Sequence, residues 1–174
     1  MQRYTAVISS CGKQRLWRKS LGALSEMRQR SFELNVVTYC AVIGACAKAG
    51  QWIHALVVLD EVRGAGLKLD GAPYNACISA CSRGQRSDLA LQLLGAMRRA
   101  ALQPGLVAYN ASIAACGRAG RVGRALELLA EMRRDALAPD IITYSTLVGA
   151  CGTARWELTL GLFAQMRLEL LEPD

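Results

Sequence analysis

The chain has 174 residues, 52% of them apolar and 20% charged, so it carries enough hydrophobic side chain for a folded core and is not a disordered tail. Its 21 lysines and arginines against 14 aspartates and glutamates leave a net charge of +7, which favours a polyanionic partner over an acidic one. No stretch approaches the roughly 18 unbroken apolar residues of a membrane span; the most apolar, Ala41 to Ala47, stops at Lys48, and neither a membrane nor a small-molecule substrate is expected as a partner.

Gln2, Arg3 and Tyr4 lead straight into a patterned helix, without the apolar run and small-residue cleavage site of a signal peptide, so no targeting peptide is expected in this chain. From there the sequence returns to itself every 35 residues, giving repeats 1–35, 36–70, 71–105, 106–140 and a slightly shorter 141–174 within a single domain, 1–174. The first repeat shows the pattern: Tyr4, Ile8 and Cys11 on a first helix, then Trp17, Leu21 and Met27-Arg28 on a second. The second repeat has Tyr39, Ile43 and Cys46 before Gly50, then Trp52, Leu56 and Val62-Arg63. The third has Tyr74, Ile78 and Cys81, then Leu91 and Met97-Arg98 before Pro104. The fourth has Tyr109, Ile113 and Cys116 before Gly120, then Leu126 and Met132-Arg133 before Pro139. The fifth has Tyr144, Val148 and Cys151, then Trp156, Leu160 and Met166-Arg167 before Pro173, in register if one residue is missing near Arg155.

Each repeat therefore reads as two helices closed by Gly- or Pro-containing turns. Tyr39, Val42, Ile43 and Cys46 follow the i, i+3, i+4, i+7 rule and share one face, which a single repeat cannot bury alone. The expected fold class is all-α: an alpha-alpha superhelix, or solenoid, of five helix-turn-helix repeats of about 35 residues. Because the cysteines at 11, 46, 81, 116 and 151 occupy one helical position beside apolar neighbours, they read as small buried residues and not as a disulfide framework. His54 is the only histidine and there is no Cys-x-x-Cys, too few ligands for zinc, so no metal and no cofactor are expected. At 100° per residue, the second, fifth, ninth, twelfth and thirteenth residues point away from the core face. In the fourth repeat they are Val107, Asn110, Ala114, Gly117 and Arg118, and in the second Val37, Cys40, Gly44, Ala47 and Lys48: a shallow groove floored by small residues with a cation at its end, suited to a thin ligand chain.

The register of Val-Val-Thr-Tyr-Cys, Ala-Tyr-Asn-Ala and Ile-Thr-Tyr-Ser, with Ala-Gly-Arg at 119–121 and Ala-Pro-Asp at 138–140, resembles pentatricopeptide repeat proteins over the whole chain. A tetratricopeptide array would instead need a Leu-Gly pair and a tyrosine late in the first helix. The resemblance implies sequence-selective binding of single-stranded RNA, one nucleotide per repeat. It implies base-specifying pairs from the fifth and last residues of each repeat: Thr5 with Asn35, Cys40 with Asp70, Asn75 with Gly105, Asn110 with Asp140, and Ser145 with Asp174. It further implies that Val37, Val107 and Ile142 sandwich bases, and that Lys13, Lys48, Arg83 and Arg118 meet phosphates. Uracil N3 and guanine N1 carry a hydrogen and need an acceptor such as Asp, whereas Asn can donate to adenine N1 or cytosine N3. On that code the chain favours A, an undetermined base, a pyrimidine, U and G, from 5′ to 3′.

Other readings compete at several of these residues. Cations near a helix C-terminus are also stabilised by its dipole, and the row Arg28, Arg63, Arg98, Arg133 and Arg167 is read as helix capping and surface charge. Trp17, Trp52 and Trp156 read as packing anchors of the second helices. The alternative function is a protein-binding helical-repeat scaffold on the same solenoid. No enzymatic activity is expected, since the His-x-Glu and Cys-x-x-Cys of the zinc deaminases carried by some family members are missing. The resemblance also points to a mitochondrion or chloroplast and to organellar RNA processing, stability, editing or translation. Five repeats address at most about five nucleotides, so the chain is read as part of a longer array whose uncapped ends favour self-association or partner proteins.

Overall fold

A helix of about a dozen residues has marginal stability alone and persists because its apolar face finds neighbours. In the computed structural model, which describes residues 16–30, 32, 34–151 and 156–168, every regular element among the described residues is such a helix. They are α1 (Trp17–Gln29), α2 (Val36–Lys48), α3 (Trp52–Gly64), α4 (Gly71–Arg83), α5 (Ser87–Arg99), α6 (Leu106–Arg118), α7 (Val122–Arg134), α8 (Ile141–Cys151) and α9 (Trp156–Leu168). The first helix expected in repeat 1, with Tyr4, Ile8 and Cys11, lies outside the described residues, and so does the register break near Arg155.

The chain forms two compact halves, residues 1–84 and 85–174. In the first half α1 packs on α2, and α2 packs on both its own partner α3 and the next first helix, α4. The second half repeats the scheme: α5 packs on α6, α6 on α7 and α8, and α8 on α9. Within each half, α2 and α6 thus touch their own second helix and the first helix of the following repeat, which is the stacking that the 35-residue period requires. The tyrosine, isoleucine and cysteine positions make this core. Tyr39, Ile43 and Cys46, then Tyr74, Ile78 and Cys81, then Tyr109, Ile113 and Cys116 are all buried, joined by Leu24, Leu59 and Leu129 from second helices. Among the described residues the cysteines are free thiols, and burial pushes Cys46 up to about 11 and raises Cys116 as well. Cys46 and Cys116 remain protonated at neutral pH and serve as small hydrophobes.

Helix ends follow local rules. After α2, Gly50 takes a left-handed φ of 76° while Gln51 donates its N–H to the Cys46 carbonyl at 2.9 Å, and Gly120 with Arg121 repeats this after α6 at φ 69° and 2.9 Å. This is the αL termination that glycine adopts without a Cβ penalty.

Arg28, Arg98 and Arg133 do more than end helices, which corrects their reading as capping and surface charge, whereas Arg63 pairs with Asp60 on the exposed face of its own helix, as that reading expects. Arg98 hydrogen-bonds the Tyr109 hydroxyl, and also Glu131 at 2.9 Å and Asp135 at 3.1 Å. The Tyr109 hydroxyl in turn donates to Asp135. Arg133 bonds the Tyr144 hydroxyl at 2.8 Å, and Arg28 meets Glu61 and the Tyr39 hydroxyl. Each of these arginines therefore ties the end of one repeat to the tyrosine eleven residues on, in the next. Burial, and then the bond donated to Asp135, pushes the Tyr109 phenol up to about 12. The Tyr109 hydroxyl and the Arg98 guanidinium hold Asp135 below the ordinary carboxylate range. Tyr109→Phe is expected to lower unfolding free energy by about 1–2 kcal/mol, because it removes a buried hydroxyl that both accepts and donates. Urea denaturation showing no change in midpoint would refute the bridging role.

Candidate functional site

The start of each first helix leaves backbone N–H groups without intrahelical partners. Asn35 accepts from Thr38 N at 2.9 Å ahead of α2, and Asp70 accepts from Ala72 N at 3.0 Å ahead of α4. Asp140 Oδ1 accepts from Thr143 N at 2.8 Å ahead of α8. Gly105 precedes α6 and supplies no side-chain cap. The last residue of a repeat is thus a helix N-cap, which fixes its side chain at the mouth of the next first helix.

The expected pairing with the fifth residue is realised at the fourth repeat. Asn110 Nδ2 donates to Asp140 Oδ1 at 3.1 Å, and Asn110 Oδ1 accepts from the Thr143 hydroxyl at 2.7 Å. Burial works against ionisation of Asp140, but its contacts with the Thr143 side chain and backbone and with Asn110 outweigh it and hold the carboxyl below its ordinary value. At the second repeat Cys40 is half-buried, and its thiol is raised by burial and then by the charge of Asp70, so it stays a neutral thiol. Asn75 has its amide oxygen buried without a partner among the described residues, and Gly105 brings no side chain. Ser145 is exposed. Thr5, Lys13 and Asp174 lie outside the described residues, leaving the pairs of the first and fifth repeats incomplete.

Val37, Val107 and Ile142, named as base-sandwiching, are 67%, 58% and 63% exposed, a cost in water that repeats at one position of three first helices. Between α6 and α8 lies an open groove of about 350 Å³ lined by Ala114, Gly117, Arg118, Ser145, Gly149 and their neighbours. Arg118 stands at its end, Lys48 is exposed at the end of α2, and Arg83 donates to the Ala47 carbonyl.

The twelfth residue differs from expectation. Ala47 and Ser82 are buried, at 3% and 2% exposure, Ala47 on the helix against which α4 packs. At these two repeats the groove floor is narrower than expected, while Gly117 lines the groove of the fourth. Gly117 shows why the position stays small: a Cβ there would sit 2.6 Å from the Ala150 Cβ. Two further contributors escaped the sequence reading. Thr143 joins Asn110 to Asp140, and Arg28, Arg98 and Arg133 reach the tyrosines of the next repeat. Their signals were present as the Asp-x-x-Thr spacing of a cap and the constant eleven-residue step from arginine to tyrosine.

Among the described residues no group of three or more His, Cys, Asp or Glu is placed to hold a metal ion, and no helix is long and apolar enough to cross a membrane. A sequence profile of the PPR repeat family matches residues 3–48 and 104–153. A profile of the pentatricopeptide repeat domain matches residues 57–119, and one of the PPR repeat matches 37–67. No curated protein matches the chain in sequence. Among solved structures, the chain is similar to the PPR domain of Arabidopsis thaliana protein-only RNase P 1, crystallised in complex with tRNA. The identity is 14% and the TM-score 0.83, over 97% of this chain and 90% of that one. It is similar to the pentatricopeptide repeat protein PPR10 in complex with an 18-nt psaJ RNA element, at 27% identity and TM-score 0.76, over 99% of this chain and 29% of that one. PPR10 from maize in a further crystal structure gives 20% identity and TM-score 0.63, over 98% and 34%. These likenesses show the expected fold class, an all-α superhelix of helix-turn-helix repeats.

Gly117→Ala is expected to cost about 1–3 kcal/mol of stability by forcing α6 and α8 apart, measurable as a lowered thermal midpoint. An unchanged midpoint would mean that the helices have slack at this contact. Asp140, with its folded value lowered, contributes stability that is complete above the unfolded carboxylate value and disappears as pH falls through the folded one. The destabilisation caused by Asp140→Ala, about 1 kcal/mol at neutral pH, should therefore shrink below about pH 4. A gap independent of pH would show that ionisation of Asp140 plays no part.

Proposed function

The chain belongs to the pentatricopeptide repeat family, and from that premise we propose that it binds single-stranded RNA in a sequence-selective manner, one nucleotide to each repeat. The observation that carries the reading is the Asn110–Asp140 pair, joined at 3.1 Å and flanked by Val107 and Ile142, both more than half exposed. A base slid between two apolar side chains would meet a carboxylate acceptor and an amide donor at its edge. Carboxylate suits the N3 hydrogen of uracil, and the reach of Asn110 suits a pyrimidine in place of a purine, so the fourth repeat is assigned U.

The remaining assignments follow the same chemistry. Thr5 with Asn35 is assigned A, Ser145 with Asp174 is assigned G, and Asn75 with Gly105 a pyrimidine, with no assignment for Cys40 with Asp70. Lys13, Lys48, Arg83 and Arg118 would follow the phosphates, in keeping with a net charge of +7. The reading takes the five repeats as one array. It is supported by the likeness to PPR10, whose crystal structure holds an 18-nt RNA element and of whose chain this one spans 29%. An organellar setting, in RNA processing, stability, editing or translation, belongs to the same proposal.

Fluorescence anisotropy with labelled oligonucleotides tests it. The expected results are binding of single-stranded RNA in preference to its duplex, and affinity that falls as salt rises. Asp140→Asn is expected to move the preference at the fourth nucleotide from U towards C by at least about 10-fold, since a charged acceptor is exchanged for an amide. Absent or salt-insensitive binding would sink the reading in favour of a protein-binding scaffold.

A further inference from the structure

Thr143 is fully buried at the third position of its repeat, where no nucleotide could touch it, yet it lies at the meeting point of the two side chains assigned to a base. Its Oγ1 is 2.7 Å from Asn110 Oδ1 and 2.8 Å from Asp140 Oδ1. Its backbone N–H donates to the same Asp140 oxygen at 2.8 Å, and its hydroxyl accepts from the Asp140 N–H at 3.2 Å. We propose that Thr143 is a positioning residue for base selection at the fourth repeat, holding Asn110 and Asp140 in the single arrangement that can recognise uracil.

The argument starts from the symmetry of an amide. Rotated by half a turn, the Asn110 side chain occupies nearly the same volume but exchanges donor for acceptor, so its selectivity depends on what fixes its orientation. Asp140 Oδ1 requires the nitrogen on its side. The Thr143 hydroxyl, donating to Asn110 Oδ1, requires the oxygen on the other. Asn110 then keeps its second amide hydrogen for a ligand. The Asn110 amide and the Thr143 backbone N–H both bond Asp140 Oδ1, while the single Thr143 hydroxyl hydrogen goes to Asn110 Oδ1, so none of these bonds uses Asp140 Oδ2, which is left as the acceptor for an imino hydrogen. A side chain ordered before binding loses less entropy on binding, and an acceptor fixed in place penalises a base that brings no hydrogen to it.

The same register elsewhere separates this role from helix formation. Thr38, also buried, bonds Asn35 Oδ1 at 2.9 Å, but Pro73 and Ala108 stand at the equivalent places and α4 and α6 form regardless. A hydroxyl at this position is therefore dispensable for the helix that follows, and alanine there is compatible with a buried, ordered backbone.

The inference rests on the proposed RNA-binding function, and the experiment separates the two. Wild type, Thr143→Ala, Thr143→Val and Thr143→Ser are titrated against an RNA carrying the five-nucleotide preference, with only the nucleotide facing the fourth repeat varied. Thermal unfolding by circular dichroism identifies which variants are folded. The expected result is that Thr143→Ala and Thr143→Val lose about 3- to 10-fold of the preference for U over C, as the loss of one hydrogen bond implies. Thr143→Ser, which keeps the hydroxyl, is expected to retain the preference. A U-to-C ratio unchanged in the alanine and valine variants overturns the inference and leaves the function standing. Equal loss of affinity for all four nucleotides also overturns it, because a merely structural role would act that way. A wild-type protein with no preference at this nucleotide overturns the function from which the inference starts.

Discussion

The need to satisfy the first N–H groups of each first helix governs more of this molecule than any other interaction. Asn35, Asp70 and Asp140 meet that need with a side-chain oxygen, and they do it at the position assigned to the edge of a base. On the proposed function one residue would then answer to two demands, a helix cap on one side and a nucleotide on the other. The preferred caps are short polar residues, and these are also the side chains with which an acceptor can be told from a donor. At Asp140 one carboxylate oxygen faces the helix, and the second is not engaged by those bonds. Gly105 meets neither demand with a side chain, and its helix begins without a side-chain cap.

Spacing along the array is set by different contacts. Within each half, successive first helices approach closely because small residues stand between them. Gly117 faces Ala150 at a separation that excludes even a methyl group, and Ala47 is buried against α4. On the other layer the arginine at the end of a second helix reaches the hydroxyl of the next tyrosine, as at Arg98 with Tyr109 and Arg133 with Tyr144. The tyrosine ring fills the core and its hydroxyl ends in a charged network, so one side chain is used both as apolar volume and as a polar tie. Exposed ion pairs contribute little by themselves, whereas a hydroxyl that accepts from Arg98 and donates to Asp135 is directional and fixes how the two repeats are aligned.

Much of this was legible in the sequence because it depends on period alone. Thirteen-residue helices beginning at Trp17 and Trp52, a buried tyrosine, isoleucine and cysteine in α2, α4 and α6, and turns at Gly50 and Gly120 all follow from a 35-residue repeat and a 3.6-residue turn. The exposure of Val37, Val107 and Ile142 follows from the same helical wheel. Contacts between repeats were not legible in that way. A wheel drawn on one helix assigns Ala47 to solvent, but the neighbouring helix covers it. The same drawing treats Thr143 as one more buried residue, since it cannot show that Asn110, thirty-three residues earlier, comes within 2.7 Å of its hydroxyl. Arg28, Arg98 and Arg133 went the same way: their regularity was visible, but their partners lie in the next repeat.

The division between rows explains how repeats of one architecture can differ in what they present. Positions four and eleven carry the same residues in every repeat, Tyr4 to Tyr144 and Cys11 to Cys151. The fifth position instead runs through Thr5, Cys40, Asn75, Asn110 and Ser145, and the last through Asn35, Asp70, Gly105, Asp140 and Asp174. Residues four and five are adjacent in sequence but a hundred degrees apart around the helix, so one can be held constant by packing while its neighbour varies without disturbing it. The third position lies between these regimes. It is buried like the core, yet it changes from Thr38 to Pro73, Ala108 and Thr143, which packing alone would not ask of it. Variation at a buried position where Thr38 and Thr143 bond the side chains at the front of the helix is what a supporting layer of the recognition surface would produce. Two of its side chains bring a hydroxyl to that front and two do not, so on the proposed function the firmness with which a repeat holds its reading residues would depend on the third residue of the next.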